Sequence, residues 1–230
     1  MPYSLQETQE AVTLSPQGKT NAAVIWLHGL GADGHDFVPI VEELRLPPAV
    51  AAHFVFPHAQ PRPVTINNGF VMRAWYDITG FGPDRIEDEQ GIRESEDVVR
   101  KLIEKEVTSG VASDRIVIAG FSQGGAIALQ AGLRHPQRLA GIMALSTYLP
   151  LSHSVEKEAS PANRDVPILM CHGLRDAVVP AALGSASRDM LQAFGYRVQW
   201  ESYPMEHQVC MEEIADIAKW LQQVLQPVLL

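Results

Sequence analysis

Ser122 stands among glycines in the stretch "AGFSQGGA", Ala119 to Ala126. A serine hydroxyl alone is a weak nucleophile. It needs a base within hydrogen-bond reach and a third group to orient that base. Further along the chain, Asp176 lies in "CHGLRDAVVP" and His207 in "YPMEHQVC", each just after a short apolar run. Serine, acid and histidine in that order make one nucleophilic device: Ser122 attacks, His207 takes its proton, and Asp176 holds the imidazole. Attack on an acyl carbonyl creates an oxyanion, which calls for preorganised donors. The backbone N–H of Gln123, next to the nucleophile, is one. That of Leu30 in "HGLG" is the second. The role given to Gln123 belongs to its backbone and not to its side chain. His28 and His172 each sit beside a glycine and read as locally hydrogen-bonded structural histidines. Asp165 precedes its apolar run and so falls at the wrong end of a strand.

These residues work together only if the elements before them end side by side. "RIVIAG" reads as a buried strand and "QGGAIALQAGL" as the helix after it, so Ser122 occupies a sharp strand-to-helix turn. Gly120, Gly124 and Gly125 supply the positions without Cβ bulk that such a turn needs. Five more apolar runs read as strands: "NAAVIWL", "AAHFVFP", "LAGIMALS", "VPILMCHG" and "RVQWESYP". Helices are expected over about Phe37 to Leu44, capped by Asp33 or Asp36, over Gly91 to Ser109, over Ala182 to Phe194 and over Val209 to Val224. Strands alternating with helices indicate an α/β fold, a mostly parallel sheet covered on both faces. The N-terminal stretch adds one or two antiparallel edge strands. Catalytic groups gather at the carboxyl ends of strands in such sheets, and all three residues fall there. No linker or repeat divides the chain, so residues 1–230 read as one domain.

Composition narrows the function. The formal net charge is −9 and no Lys/Arg cluster appears, so no nucleic-acid partner is expected. The two cysteines, Cys171 and Cys210, make no disulfide framework. No apolar run reaches the ~18 residues of a transmembrane helix. The polar N-terminus lacks an apolar signal core, and a cytoplasmic location follows as the expectation. The eight histidines show no metal-ligand spacing, and the proposed chemistry needs neither metal nor organic cofactor.

"LHGLGADGHDF", "AWYDI", "GFSQGGA", "LSTYLPL", "CHGLRDAVVP" and "HQVC" together resemble the carboxylesterase / acyl-protein thioesterase family of the α/β-hydrolase superfamily, in its bacterial carboxylesterase branch. The resemblance runs from about Ala22 to Leu225. It implies an α/β-hydrolase fold without a large cap domain, the Ser122–Asp176–His207 triad, and Leu30 with Gln123 at the oxyanion hole. It also implies a small-molecule ester or thioester substrate, and homodimers are frequent in that family. The expected activity is hydrolysis of short- to medium-chain carboxylic esters. The alternative is an acyl-protein thioesterase acting on S-acylated cysteines or lysophospholipids. A non-catalytic binding protein of this fold would lack a triad member, and none is missing. A dienelactone-type hydrolase would carry cysteine where Ser122 stands.

The one long insertion, Pro61 to Gln90, is rich in apolar side chains: Phe70, Met72, Trp75, Tyr76 and Phe81. "STYLPL" adds Tyr148, Leu149 and Leu151. Met72, Trp75, Tyr148, Leu149 and Val179 are expected to wall an apolar groove beside Ser122 and to bind the acyl chain.

Overall fold

The computed structural model describes residues 3–80 and 86–226. Phe81 lies outside the described residues. The strands in chain order are β1 (Tyr3–Glu7), β2 (Ala11–Pro16), β3 (Ala22–Leu27), β4 (Ala52–Pro57), β5 (Pro61–Val64), β6 (Phe70–Arg73), β7 (Ile116–Phe121), β8 (Gly141–Leu145), β9 (Ile168–Gly173) and β10 (Val198–Tyr203). The helices are α1 (Ile40–Glu43), α2 (Glu89–Thr108), α3 (Gln123–Arg134), α4 (Val155–Glu158), α5 (Ala181–Ala193) and α6 (Met211–Val224). Strands and helices alternate as an α/β-hydrolase fold requires, and no large cap interrupts them among the described residues.

Alternation along the strands explains why the sheet is buried on both sides. In β3, Ala23, Ile25 and Leu27 enter one core while Ala22, Val24 and Trp26 enter the other. The first core is closed by Ile92, Val99 and Ile103 of α2, Ile127 and Leu129 of α3, and Leu191 of α5. The second is closed by Val41 of α1 and by Ile214, Ile217 and Leu221 of α6. The main sheet has eight strands in the order β1-β2-β4-β3-β7-β8-β9-β10. β1 and β2 are the antiparallel edge expected from the sequence, and the rest run parallel.

Register places the site. Leu27 pairs with Gly120, Phe121 with Leu145, Leu145 with Cys171, and Gly173 with Tyr203. The carboxyl ends of β3, β7, β8, β9 and β10 therefore share one edge, and the segments leaving them carry Leu30, Ser122, Tyr148, Asp176 and His207.

Two expectations change. The helix expected over Phe37 to Leu44 shrinks to Ile40–Glu43. Residues before it form successive tight turns, with Val38 N–H donating to the His35 carbonyl and Ile40 N–H to that of Phe37. Neither Asp33 nor Asp36 caps it, because Pro39 takes the N-cap position. The long insertion also contains a hairpin, β5 against β6, separate from the main sheet.

Candidate active site

Ser122 holds φ 54° and ψ −119°, a backbone conformation that L-residues rarely adopt. Three hydrogen bonds fix it there. Ser122 N–H donates to the Leu145 carbonyl at 2.8 Å, while its own carbonyl accepts from Thr147 Oγ1 at 2.6 Å and from Ala126 N–H at 3.1 Å. The turn is tight enough that a Cβ on Gly120 would strike the Gly124 carbonyl, and one on Gly124 would strike the carbonyls of Leu27 and His28. The first turn of α3 thus lies directly on the end of β3.

The same closeness joins the other two loops. A Cβ on Gly173 would run into the backbone carbonyls of Met205 and Glu206. Leu174 N–H donates to the Tyr203 carbonyl at 2.8 Å and Arg175 N–H to that of Met205 at 3.0 Å. These contacts bring the loop after β9 against the loop after β10. The Asp176 side chain is buried. Its Oδ1 accepts from the N–H groups of Val178 and Val179 at 2.9 and 2.8 Å. Its Oδ2 accepts from His207 Nδ1 at 2.6 Å. The other ring nitrogen, Nε2, lies 2.9 Å from Ser122 Oγ and accepts its proton. The imidazole packs on Phe121, ring centroids 4.7 Å apart. Serine, histidine and aspartate thus form one continuous hydrogen-bonded line.

The other histidines are held elsewhere. His172 is buried, its Nε2 2.9 Å from the Val179 carbonyl and 3.6 Å from Asp176 Oδ2. Burial pushes its basicity down. His28 accepts from Ala59 N–H at Nε2, 3.0 Å, and its Nδ1 lies 2.7 Å from the Gly29 carbonyl. Burial outweighs that carbonyl and pulls its pKa down to about 4, so the ring is neutral at neutral pH. Trp75 Nε1 donates to the His28 carbonyl at 2.9 Å. His28 and Trp75 together pin the "HGLG" loop. Among the described residues the N–H groups of Leu30 and Gln123 make no backbone hydrogen bond, and both residues line one cavity with Ser122.

That cavity measures about 240 Å³. Its buried part is formed by Tyr76, Ile78, Tyr148 and Val179, with Phe121, Ser122 and His207 alongside. Asp36 and Val178 are its exposed lining residues and so stand at its mouth. Tyr148 and Val179 are therefore where the sequence placed them. Trp75, Met72 and Leu149 do not line it. Trp75 is spent on the His28 carbonyl and is buried against the core. Met72 lies on the β5–β6 hairpin, where its Sδ accepts from Asn67 Nδ2 at 3.4 Å. Leu149 belongs to the core, its N–H donating to Ser187 Oγ at 2.9 Å.

The Gln123 side chain does more than the sequence suggested. Its Oε1 accepts from Trp75 N–H at 2.8 Å and its Nε2 donates to the Tyr76 carbonyl at 2.7 Å. One amide thus ties the nucleophile turn to the strand of chain that carries the cavity wall. The buried Ser95 hydroxyl donates to the Trp75 carbonyl and completes the clamp. Among the described residues no group of three or more His, Cys, Asp or Glu side chains is disposed to hold a metal ion.

A family described as phospholipase/carboxylesterase matches residues 8–225. Acyl-protein thioesterase 1 of Gibberella zeae is 40% identical over 215 residues, covering 90% of this chain and 92% of that protein. Acyl-protein thioesterase 1 of Cryptococcus neoformans is 38% identical over 246 residues, covering 98% and 100%. Among solved structures, Zea mays acyl-protein thioesterase 2 superposes with a TM-score of 0.82 at 31% identity, covering 93% of this chain and 97% of that one. Arabidopsis thaliana SOBER1 superposes with a TM-score of 0.85 at 31% identity, covering 90% and 100%. These relatives are fungal and plant proteins, and they lend no support to a bacterial carboxylesterase branch.

Proposed function

Because the chain belongs to the phospholipase/carboxylesterase family and is a serine hydrolase, we propose that it cleaves acyl groups from thiols, in the manner of an acyl-protein thioesterase, through an acyl-enzyme on Ser122. The observation that carries the reading is the line from Ser122 Oγ through His207 to Asp176, at 2.9 and 2.6 Å. The names of the relatives favour S-acylated cysteine over carboxylic esters in general, so the alternative weighed from the sequence becomes the main reading. Short- and medium-chain esters are then accessory substrates of the same machinery.

The chemistry follows from the atoms. Ser122 Oγ attacks the carbonyl carbon as its proton passes to His207 Nε2. The carbonyl oxygen becomes an oxyanion facing the N–H groups of Leu30 and Gln123. Asp176 stabilises the imidazolium and holds Nδ1–H toward itself. His207 then gives the proton to the departing sulfur or oxygen as that bond breaks. A water gives its proton to His207 and attacks the acyl carbon. Collapse of the second intermediate frees the carboxylic acid and returns the proton to Ser122. The cavity of about 240 Å³ takes a short or medium acyl chain. Longer chains must run out past Val178.

The test is direct. A fluorophosphonate should label Ser122, and the same preparation should release fatty acid from an S-palmitoylated protein. Labelling without thioester turnover would return the reading to a general carboxylesterase. Labelling elsewhere would remove the triad. Among the described residues no helix is long and apolar enough to cross a membrane. We further propose a homodimer, checked by sedimentation, a cytoplasmic location, checked by cell fractionation, and a single domain, checked by one cooperative melting transition.

A further inference from the structure

Charge at the mouth of the cavity is one-sided. Among the described residues that line it, Asp36 is the carboxylate and none is a lysine or arginine. The Asp36 side chain is exposed and has no hydrogen bond or ion pair among the described residues. Its backbone is fixed, with N–H donating to the Asp33 carbonyl at 3.2 Å. The charge acting on it is a second carboxylate, Asp33, which is itself occupied by the His35 N–H and ring. Partial burial first, and Asp33 second, push the carboxyl of this otherwise exposed residue up.

The two halves of a substrate meet different parts of this cavity. An acyl chain is apolar and is accommodated by the buried lining of Tyr76, Ile78, Tyr148 and Val179. A peptide leaving group is far larger than 240 Å³ and stays at the mouth, beside Asp36.

We propose that Asp36 selects the leaving group by charge: it favours thioesters and esters whose thiol or alcohol carries a cation near the scissile bond, as an S-acylated cysteine flanked by lysine or arginine does, and disfavours those carrying an anion. The inference rests on the acyl-transfer reading above. It further requires the preference to act before the leaving group departs. Substrates that share an acyl group also share the acyl-enzyme and its hydrolysis, so the selection belongs to kcat/KM.

The experiment uses three butanoyl thioesters: of thiocholine (cationic), of 2-methoxyethanethiol (neutral) and of 2-mercaptoethanesulfonate (anionic). Butanoyl groups fit the cavity and keep the test independent of whether S-acylated proteins are the substrates. The wild-type enzyme should rank them cation, neutral, anion, each step being up to about fivefold at low salt, as for an exposed ion pair, and shrinking as salt is added. Asp36→Asn, isosteric and at an exposed position, should bring the cation-to-anion ratio toward one. Asp36→Lys should invert it. A ratio unchanged in Asp36→Asn, or a wild type preferring the anion, overturns the proposal while leaving the hydrolase reading intact. Failure of the wild type to turn over any of the three would sink the hydrolase reading, and this inference with it.

Discussion

The two walls of the cavity are built by opposite means. On one side, the Ser122 turn and the loop after β3 meet backbone to backbone, with Gly124 against the carbonyls of Leu27 and His28. On the other, Tyr76 and Ile78 come from the long 61–90 connection, which is held by polar side chains. Gln123 grips Trp75 and Tyr76, Asp88 Oδ2 accepts from Asp77 N–H at 2.8 Å, and Asp77 accepts from Thr65 N–H and Oγ1. The first wall tolerates no added atom. The second depends on groups that can be removed one at a time. On the acyl-transfer reading, the reacting atoms sit on the first wall and the acyl-chain contacts are shared with the second. The design therefore separates chemistry, which needs precision below an ångström, from chain recognition, which does not.

That contrast can be broken most severely at Ser122. Ser122→Ala should lower kcat by about 10⁶ with the melting temperature close to that of the wild type. Near-normal turnover by the pure variant would show that the backbone-locked wall presents something else. Asp176→Asn should cost about 10⁴ in kcat, and His207→Ala should exceed His172→Ala in its effect on ester hydrolysis. The reverse order would make His172 the base. Gly124→Ala adds one methyl against two carbonyls and should destabilise by about 1–3 kcal/mol or more, as overpacking does. A thermal melt at wild-type temperature would mean that the first wall yields after all.

Smaller effects sharpen the second wall. Gln123→Ala leaves the Trp75 N–H and the Tyr76 carbonyl without their partner, at about 1–3 kcal/mol for each buried group. The loss should fall on KM and chain-length preference more than on kcat for acetate, because the backbone N–H stays. A uniform drop in kcat across chain lengths would put the side chain in the chemistry. Least of all, Ile78→Ala should flatten the rise of kcat/KM with acyl length. At most about 0.8 kcal/mol per methylene is at stake. An unchanged slope from acetate to octanoate would place the acyl chain elsewhere.

The same contrast explains what could be read from the sequence. The parallel strands other than β10 were legible because each is short, apolar and closed by a glycine or a turn. The order serine, acid, histidine was legible because each residue follows a strand that the register aligns. Val179 and Tyr148 followed for the same reason, lying just past strand ends. The hairpin was not legible. β5 carries Pro61 and Pro63, and β6 exposes Phe70 and Val71, so neither shows a core-facing period. Trp75 was misplaced because an indole on a long loop reads as apolar wall, whereas its N–H is committed to a carbonyl 47 positions away in the chain. The Gln123 amide and Asp36 were invisible for a related reason. Their meaning lies in partners, or in the lack of partners, that no local pattern encodes.

Asp36 and Val178 are the exposed residues among the described lining of the cavity, and on the acyl-transfer reading leaving group and water cross the same threshold in a fixed order. The first product must vacate it before water can approach the acylated serine, which is ping-pong kinetics. Any thiol or alcohol that enters instead competes with that water and accepts the acyl group. The enzyme should therefore act as a transacylase in proportion to the nucleophile supplied, and added thiocholine should be acylated at the expense of free acid.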